Sequence, residues 1–107
     1  MDYYDISCHK QLQMECSELI KTRLEKKYVS ISKHVTDAYW GGAKRIYDEG
    51  KNLLDEFKVA QYKIQTRPIS FNGGTGYLYE DLETTKKFVN EYEHKFNAFI
   101  KEWNVIV

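Results

Sequence analysis

Proline is nearly missing from this chain, with Pro68 its one example, and cysteine is scarce. So few prolines, together with six glycines, argue against disorder and against a loop-rich fold. The two cysteines, Cys8 and Cys16, cannot form a disulfide scaffold. Eight residues apart on one helix they would stand about 12 Å apart along the axis, beyond the roughly 7 Å that a disulfide spans. Free thiols fit a reducing compartment. No apolar run approaches the roughly 20 residues that a membrane crossing needs. The opening Met1-Asp2-Tyr3-Tyr4-Asp5 is acidic and polar, unlike a signal peptide. A cytoplasmic protein is therefore expected, and one domain over residues 1–107.

Excess charge is also missing, since the net charge is zero. Its distribution is uneven. Lys21, Arg23, Lys26, Lys27, Lys33, Lys44 and Arg45 outnumber Glu25 and Asp37 over residues 21–45, while both flanking segments are acidic. A polyanion mimic would be acidic throughout, and a dedicated DNA-binding domain would be more basic overall. The residue usage leans to Lys, Tyr, Ile, Asn and Glu, the style of an AT-rich genome.

What is present is helical periodicity. Leu12, Cys16, Leu19, Ile20 and Leu24 recur at helical steps and predict a first helix from about Asp5 to Tyr28. The β-branched and serine residues of Val29-Ser30-Ile31-Ser32 predict a break, with Ser30 or Ser32 capping the next helix. Val35, Tyr39, Gly42, Ile46, Leu53, Phe57, Ala60 and Ile64 trace a second stripe over about 33–64. That helix is expected to kink or turn at Gly41-Gly42, where glycine disfavours helix by about 1 kcal/mol relative to alanine. Pro68 stops it. Ile69 and Phe71, then Asn72-Gly73-Gly74, then Tyr77 and Tyr79 predict a short β-hairpin, because Asn-Gly supplies the positive φ of a tight turn. Leu82, Thr85, Val89, Tyr92, Phe96, Phe99, Trp103 and Ile106 predict a last helix, widened by Phe88 and Ile100 and capped by Asp81. The expected fold is mainly α: a three-helix bundle, its second helix long and broken at Gly41-Gly42, with a small β-hairpin before the last helix.

Candidate chemistry is thin. Cys8, His9, Cys16 and His34 lack the close paired spacing of a structural zinc site. A nucleophilic cysteine needs a base beside it, and none accompanies Cys8. Asp48-Glu49, Asp55-Glu56 and Glu80-Asp81 are neighbours that diverge on a helix. The glycines of Asn72–Gly76 precede no lysine and no helix, so they read as a hairpin turn instead of a phosphate loop. No catalytic residue, metal or cofactor is expected.

Tyrosine is plentiful, with nine in the chain. Aromatic residues dominate protein interface hot spots, and Tyr3, Tyr4, Tyr62, Tyr77 and Tyr79 are not all needed by the three helical stripes. Tyr77 and Tyr79 are expected on one side of a strand, and an exposed hairpin edge can recruit a partner. The partner-binding set is therefore Tyr77, Tyr79, Asn72 and Tyr62. The function expected is non-enzymatic protein binding, such as a phage or mobile-element protein that occupies a host or defence complex. A homodimer stays open. An alternative is nucleic-acid binding by Lys26, Lys27, Lys33, Lys44 and Arg45, interleaved with Tyr28, Tyr39, Trp40 and Tyr47.

Trp40-Gly41-Gly42, with Tyr47, Leu53 and Phe57 at helical spacing after it, resembles the WXG100 family. The likeness covers about residues 5–64 and implies a helical hairpin turned at the W-x-G, dimeric and exported by the type VII pathway. The hairpin and strong helix that follow depart from that family. Its export tail has only a weak echo in Tyr77 before Asp81, which precedes the last helix.

Overall fold

The computed structural model describes residues 3–71 and 73–107, with side chains from Lys10 onward except Phe71. Its longest feature is a helical rod of three consecutive segments. These are α1 (Tyr3–Ile20), a π-helical segment (Lys21–Glu25) and α2 (Lys26–Trp40). The residues at both junctions keep right-handed helical angles and make no side-chain cap, so neither junction is an end. At 1.5 Å per residue the rod is about 57 Å long, which accounts for the molecule's 54 Å long axis.

The predicted break at Val29–Ser32 does not occur. Ile31 is fully buried there and Ser32 stays helical, its carbonyl accepting from the Thr36 hydroxyl at 3.0 Å. A few weak helix formers cost about 0.5 kcal/mol each, whereas burying an isoleucine is worth about 1.5–3 kcal/mol, so packing overrides propensity. Helical geometry loosens earlier, at the π-helical segment. There the Thr22 hydroxyl bonds back to the carbonyls of Glu18 (2.8 Å) and Leu19 (3.4 Å), competing with the ladder.

Gly41-Gly42 makes a true turn. Gly42 has φ +75°, and the Ala43 amide donates to the Ala38 carbonyl at 2.8 Å. The chain reverses into α3 (Lys44–Lys63), which packs back along α2. Next comes the hairpin, β1 (Arg67–Phe71) antiparallel to β2 (Gly74–Leu78). The last helix, α4 (Leu82–Trp103), starts where expected: the Asp81 carboxylate accepts from the Thr84 amide at 2.6 Å. It ends on Asn104 in the left-handed region, and Val105 folds under as a buried residue. Ile106, read as the end of the stripe, lies past the helix and is 90% exposed.

The core follows the apolar face of α4. Phe88, Val89, Tyr92, Phe96 and Phe99 meet Cys16, Leu24, Ile31 and Val35 of the rod and Leu54 and Phe57 of α3. Tyr39, placed on the buried stripe by its spacing, is exposed at the turn. The hairpin stands apart. Among the described residues its strands contribute nothing to this core, although Ile64 and Tyr79 at its base do.

Gly50 marks a close approach of α3 to α2 and α4. A Cβ there would collide with Val35 Cγ2 and lie 3.0 Å from Phe99 Cζ. Valine has a stiff χ1 and cannot swing aside cheaply. Gly50→Ala should therefore destabilise the fold by about 1–3 kcal/mol despite alanine's better helix propensity. A fall in Tm of roughly 4 °C or more should be seen by circular dichroism. A Tm equal to or above that of the parent chain would refute the close packing.

Candidate functional site

The hairpin is tied down at its base. Tyr79, 7% exposed, leaves the end of β2 and turns into the core. Its amide donates to Gln13 Oε1 at 2.8 Å, and its carbonyl accepts from Gln13 Nε2 at 2.9 Å. Its hydroxyl accepts from Gln61 Nε2 at 3.1 Å. The Glu80 amide donates to the Ile64 carbonyl, while Arg67 and Thr66 donate to the carbonyl and carboxylate of Glu80. Tyr77 and Tyr79 therefore do not share an exposed face as expected. The strand ends at Leu78, and burial of the Tyr79 ring decides its direction.

Two of the predicted contact residues do come together. Tyr62 (70% exposed) and Tyr77 (53% exposed) line an open depression of about 400 Å³ with Lys63, Gln65 and Thr66. Asn72, the fourth member of the set, lies outside the described residues.

A larger cleft, about 560 Å³, opens between the rod and α3. Ile20, Leu24, Tyr28, Phe57 and Tyr79 give it an apolar lining, with Lys21, Glu25 and Lys58 among its polar residues. Three of these residues, Lys21, Leu24 and Glu25, come from the π-helical segment. Sequence reasoning missed this cleft, because a π-helical turn has no composition of its own.

Arg23 pins that segment to α4 by a two-pronged pair, Nε to Glu93 Oε2 at 3.0 Å and Nη2 to Oε1 at 2.5 Å. Lys27 adds a third contact at 3.7 Å. The Arg23 hydrogen bonds hold the Glu93 carboxyl below its ordinary range. Lys95 does the same for Glu56.

The basic segment is largely spoken for. Lys27 pairs with Glu93, Lys44 with Asp48 at 2.7 Å, and Arg45 with Glu49 at 3.2 Å. Arg45 also lies over the Trp103 ring, 5.4 Å from its centroid. Lys26 and Lys33 are exposed and make no ion pair among the described residues. With Lys21, also exposed and without an ion pair among the described residues, the segment presents three unpaired cations where an interleaved patch was expected.

The acidic neighbours are engaged as well, Asp55 with Lys51 and Glu56 with Lys95. Tyr92 donates to Glu56 at 3.1 Å; burial, then this bond, pushes its phenol up to about 12, so it stays protonated at neutral pH. Cys16 is buried, its sulfur accepting from the Thr85 hydroxyl. His34 sits edge-on to Phe99. Thr85 and Phe99 are about 21 Å apart along α4, so Cys16 and His34 do not converge. The side chains of Cys8 and His9 lie outside the described residues. Among the described residues no group of three metal-ligating side chains forms. No described helix is long and apolar enough to cross a membrane.

At the opposite end, Trp40 is 79% exposed and packs edge-to-face on Tyr39 at 5.2 Å, which meets Tyr47 at 5.3 Å.

The lowered carboxyls of Glu93 and Glu56 contribute stability that is complete above the unfolded carboxylate value near 4.3 and is lost as pH falls through the folded values. Tm should be flat above about pH 6 and drop below about pH 4.5. Glu93→Gln should lower Tm at pH 7 by a few degrees, about 0.5–1 kcal/mol for a pair about a third exposed, and match the parent chain at pH 3. Identical Tm values at pH 7 would show that the pair contributes nothing.

Compared with protein-family models, curated proteins and solved structures, the chain has no significant match to any of them.

Proposed function

We propose that this chain is a non-enzymatic protein-binding module that works in the cytoplasm by occupying a partner, as a phage or mobile-element inhibitor of a host or defence complex would. The helices serve as a bundle that carries the hairpin, and the partner contacts Tyr62 and Tyr77. The observation that carries this reading is the hairpin's position. It is anchored through Tyr79, Glu80 and Arg67, yet its described strand side chains add nothing to the core. An element held so firmly without serving the core is suited to contact something else. The two exposed tyrosines beside it are of the type that forms interface anchors.

The nucleic-acid reading has less support, since Lys27, Lys44 and Arg45 each already face a carboxylate within the fold. The test is a pull-down from nuclease-treated host lysate with the parent chain and with Tyr62→Ala/Tyr77→Ala. The parent should retain one protein complex at near-stoichiometric yield. The double variant should lose about 10-fold or more in affinity at unchanged Tm. Equal capture by both would remove this surface from the argument.

A second reading is favoured by one observation. Trp40 is exposed at a turn between two antiparallel helices, where a WXG100-like secretion partner would carry it. On that reading the chain appears in culture supernatant and Trp40→Ala abolishes its export. Export untouched by the substitution counts against it.

A further inference from the structure

The hairpin has one blocked edge and one open edge. In an antiparallel pair, facing residues alternately exchange their main-chain hydrogen bonds or turn those groups outward. The tight turn closes on Phe71 facing Gly74, which makes that pair a bonded one, followed by Ile69 with Gly76 and Arg67 with Leu78. Pro68 with Tyr77 and Ser70 with Thr75 therefore turn their N–H and C=O groups outward. On β1 this places proline, which has no N–H, on the outer edge. On β2 the outer edge carries Thr75 and Tyr77, both exposed, each with a donor and an acceptor and neither charged.

Beyond the end of the strand comes Tyr79, whose main chain is already partnered. Its amide and carbonyl are both taken by the Gln13 carboxamide. Among the described residues nothing pairs with the corresponding groups of Thr75 and Tyr77. Among the described residues neither strand packs on a helix to the extent that it packs on the other strand.

We propose that two copies of this chain pair through β2, antiparallel about a two-fold axis at Gly76, merging their hairpins into one four-stranded sheet. In this register Thr75 of each copy faces Tyr77 of the other, and all the open donors and acceptors are matched by one another. The next pair would be Tyr79 with Gly73, and there Gln13 and the turn end the ladder. A foreign strand of greater length would find nothing further to bond. The chain has zero net charge, so copies do not repel. Pro68 blocks the outer edge of each hairpin, so pairing closes at two and does not run on into fibres. This goes beyond the partner reading above: it uses the main chain of β2, whereas that reading rests on the side chains of Tyr62 and Tyr77.

So short a ladder covers far less than the roughly 800 Å² per partner of a standard interface, so the dimer forms at high concentration. Sedimentation equilibrium of the purified chain from about 10 μM to about 1 mM tests it. The average mass should climb from 12.7 kDa toward twice that value. A mass that stays at 12.7 kDa throughout overturns the proposal. Thr75→Pro removes an outward donor from the same kind of position that Pro68 occupies, so the hairpin keeps its own bonds. It should remain monomeric with an unchanged circular dichroism spectrum, and dimerisation equal to the parent's would exclude this edge. As a second readout without substitution, amide exchange at Thr75 and Tyr77 should slow as concentration rises while that at Ser70 does not. Protection that rises elsewhere overturns the register. Protection of these two amides only on addition of a captured partner protein overturns the two-fold pairing in favour of a foreign strand.

Discussion

Phe57 is the contact on which the arrangement turns. It lies on α3 and meets Tyr28 of the rod at 5.3 Å and Phe88, Tyr92 and Phe96 of α4 at 5.3, 5.4 and 5.2 Å. Each such aromatic pair is worth about 0.5–1.5 kcal/mol beyond its buried area. One ring thus joins the three long helical elements. The approach of α3 that lets it do so is permitted at Gly50, where any side chain would strike Val35 and Phe99. The hairpin hangs between α3 and α4, so its position follows from this contact. The same ring lines the cleft against the π-helical segment.

Features set by local chemistry could be read from the sequence. The α4 stripe, its Asp81 cap, the reversal at Gly41-Gly42 and the hairpin at Asn72-Gly73 each depend on a few adjacent residues or an unbroken period. Features set by competition between distant residues could not. Ser30 and Ser32 look like caps until Ile31 finds a place against α4. Tyr79 continues the alternation of Tyr77 until the core draws it inward. The π-helical turn and the pairing of Arg23 with Glu93, 70 residues away, leave no local trace.

The candidate surface was legible to a similar degree. Tyr62 and Tyr77 stood out as aromatics the stripes did not need, and they line one depression. The cations of the middle segment looked available because a charge count cannot see Lys44 and Arg45 meeting Asp48 and Glu49 one helical turn on. The Trp40–Tyr39–Tyr47 group joins a residue from before the reversal to one after it, so only the turn brings it together.

Gln13 has a consequence for the order in which the molecule assembles. A hairpin with an Asn-Gly turn is the most local structure a chain can make, and alone it is marginal in water. Here the residue that ends it, Tyr79, finds its main-chain partners on α1, 66 positions earlier. The ring of Tyr79 then waits for Gln61 on α3 as well. The quickest contact to form is thus secured by some of the most distant, and loop closure sets its timing. Nascent turns at Gly73 can come and go from the start of folding, but a persistent hairpin is a late product of helix docking.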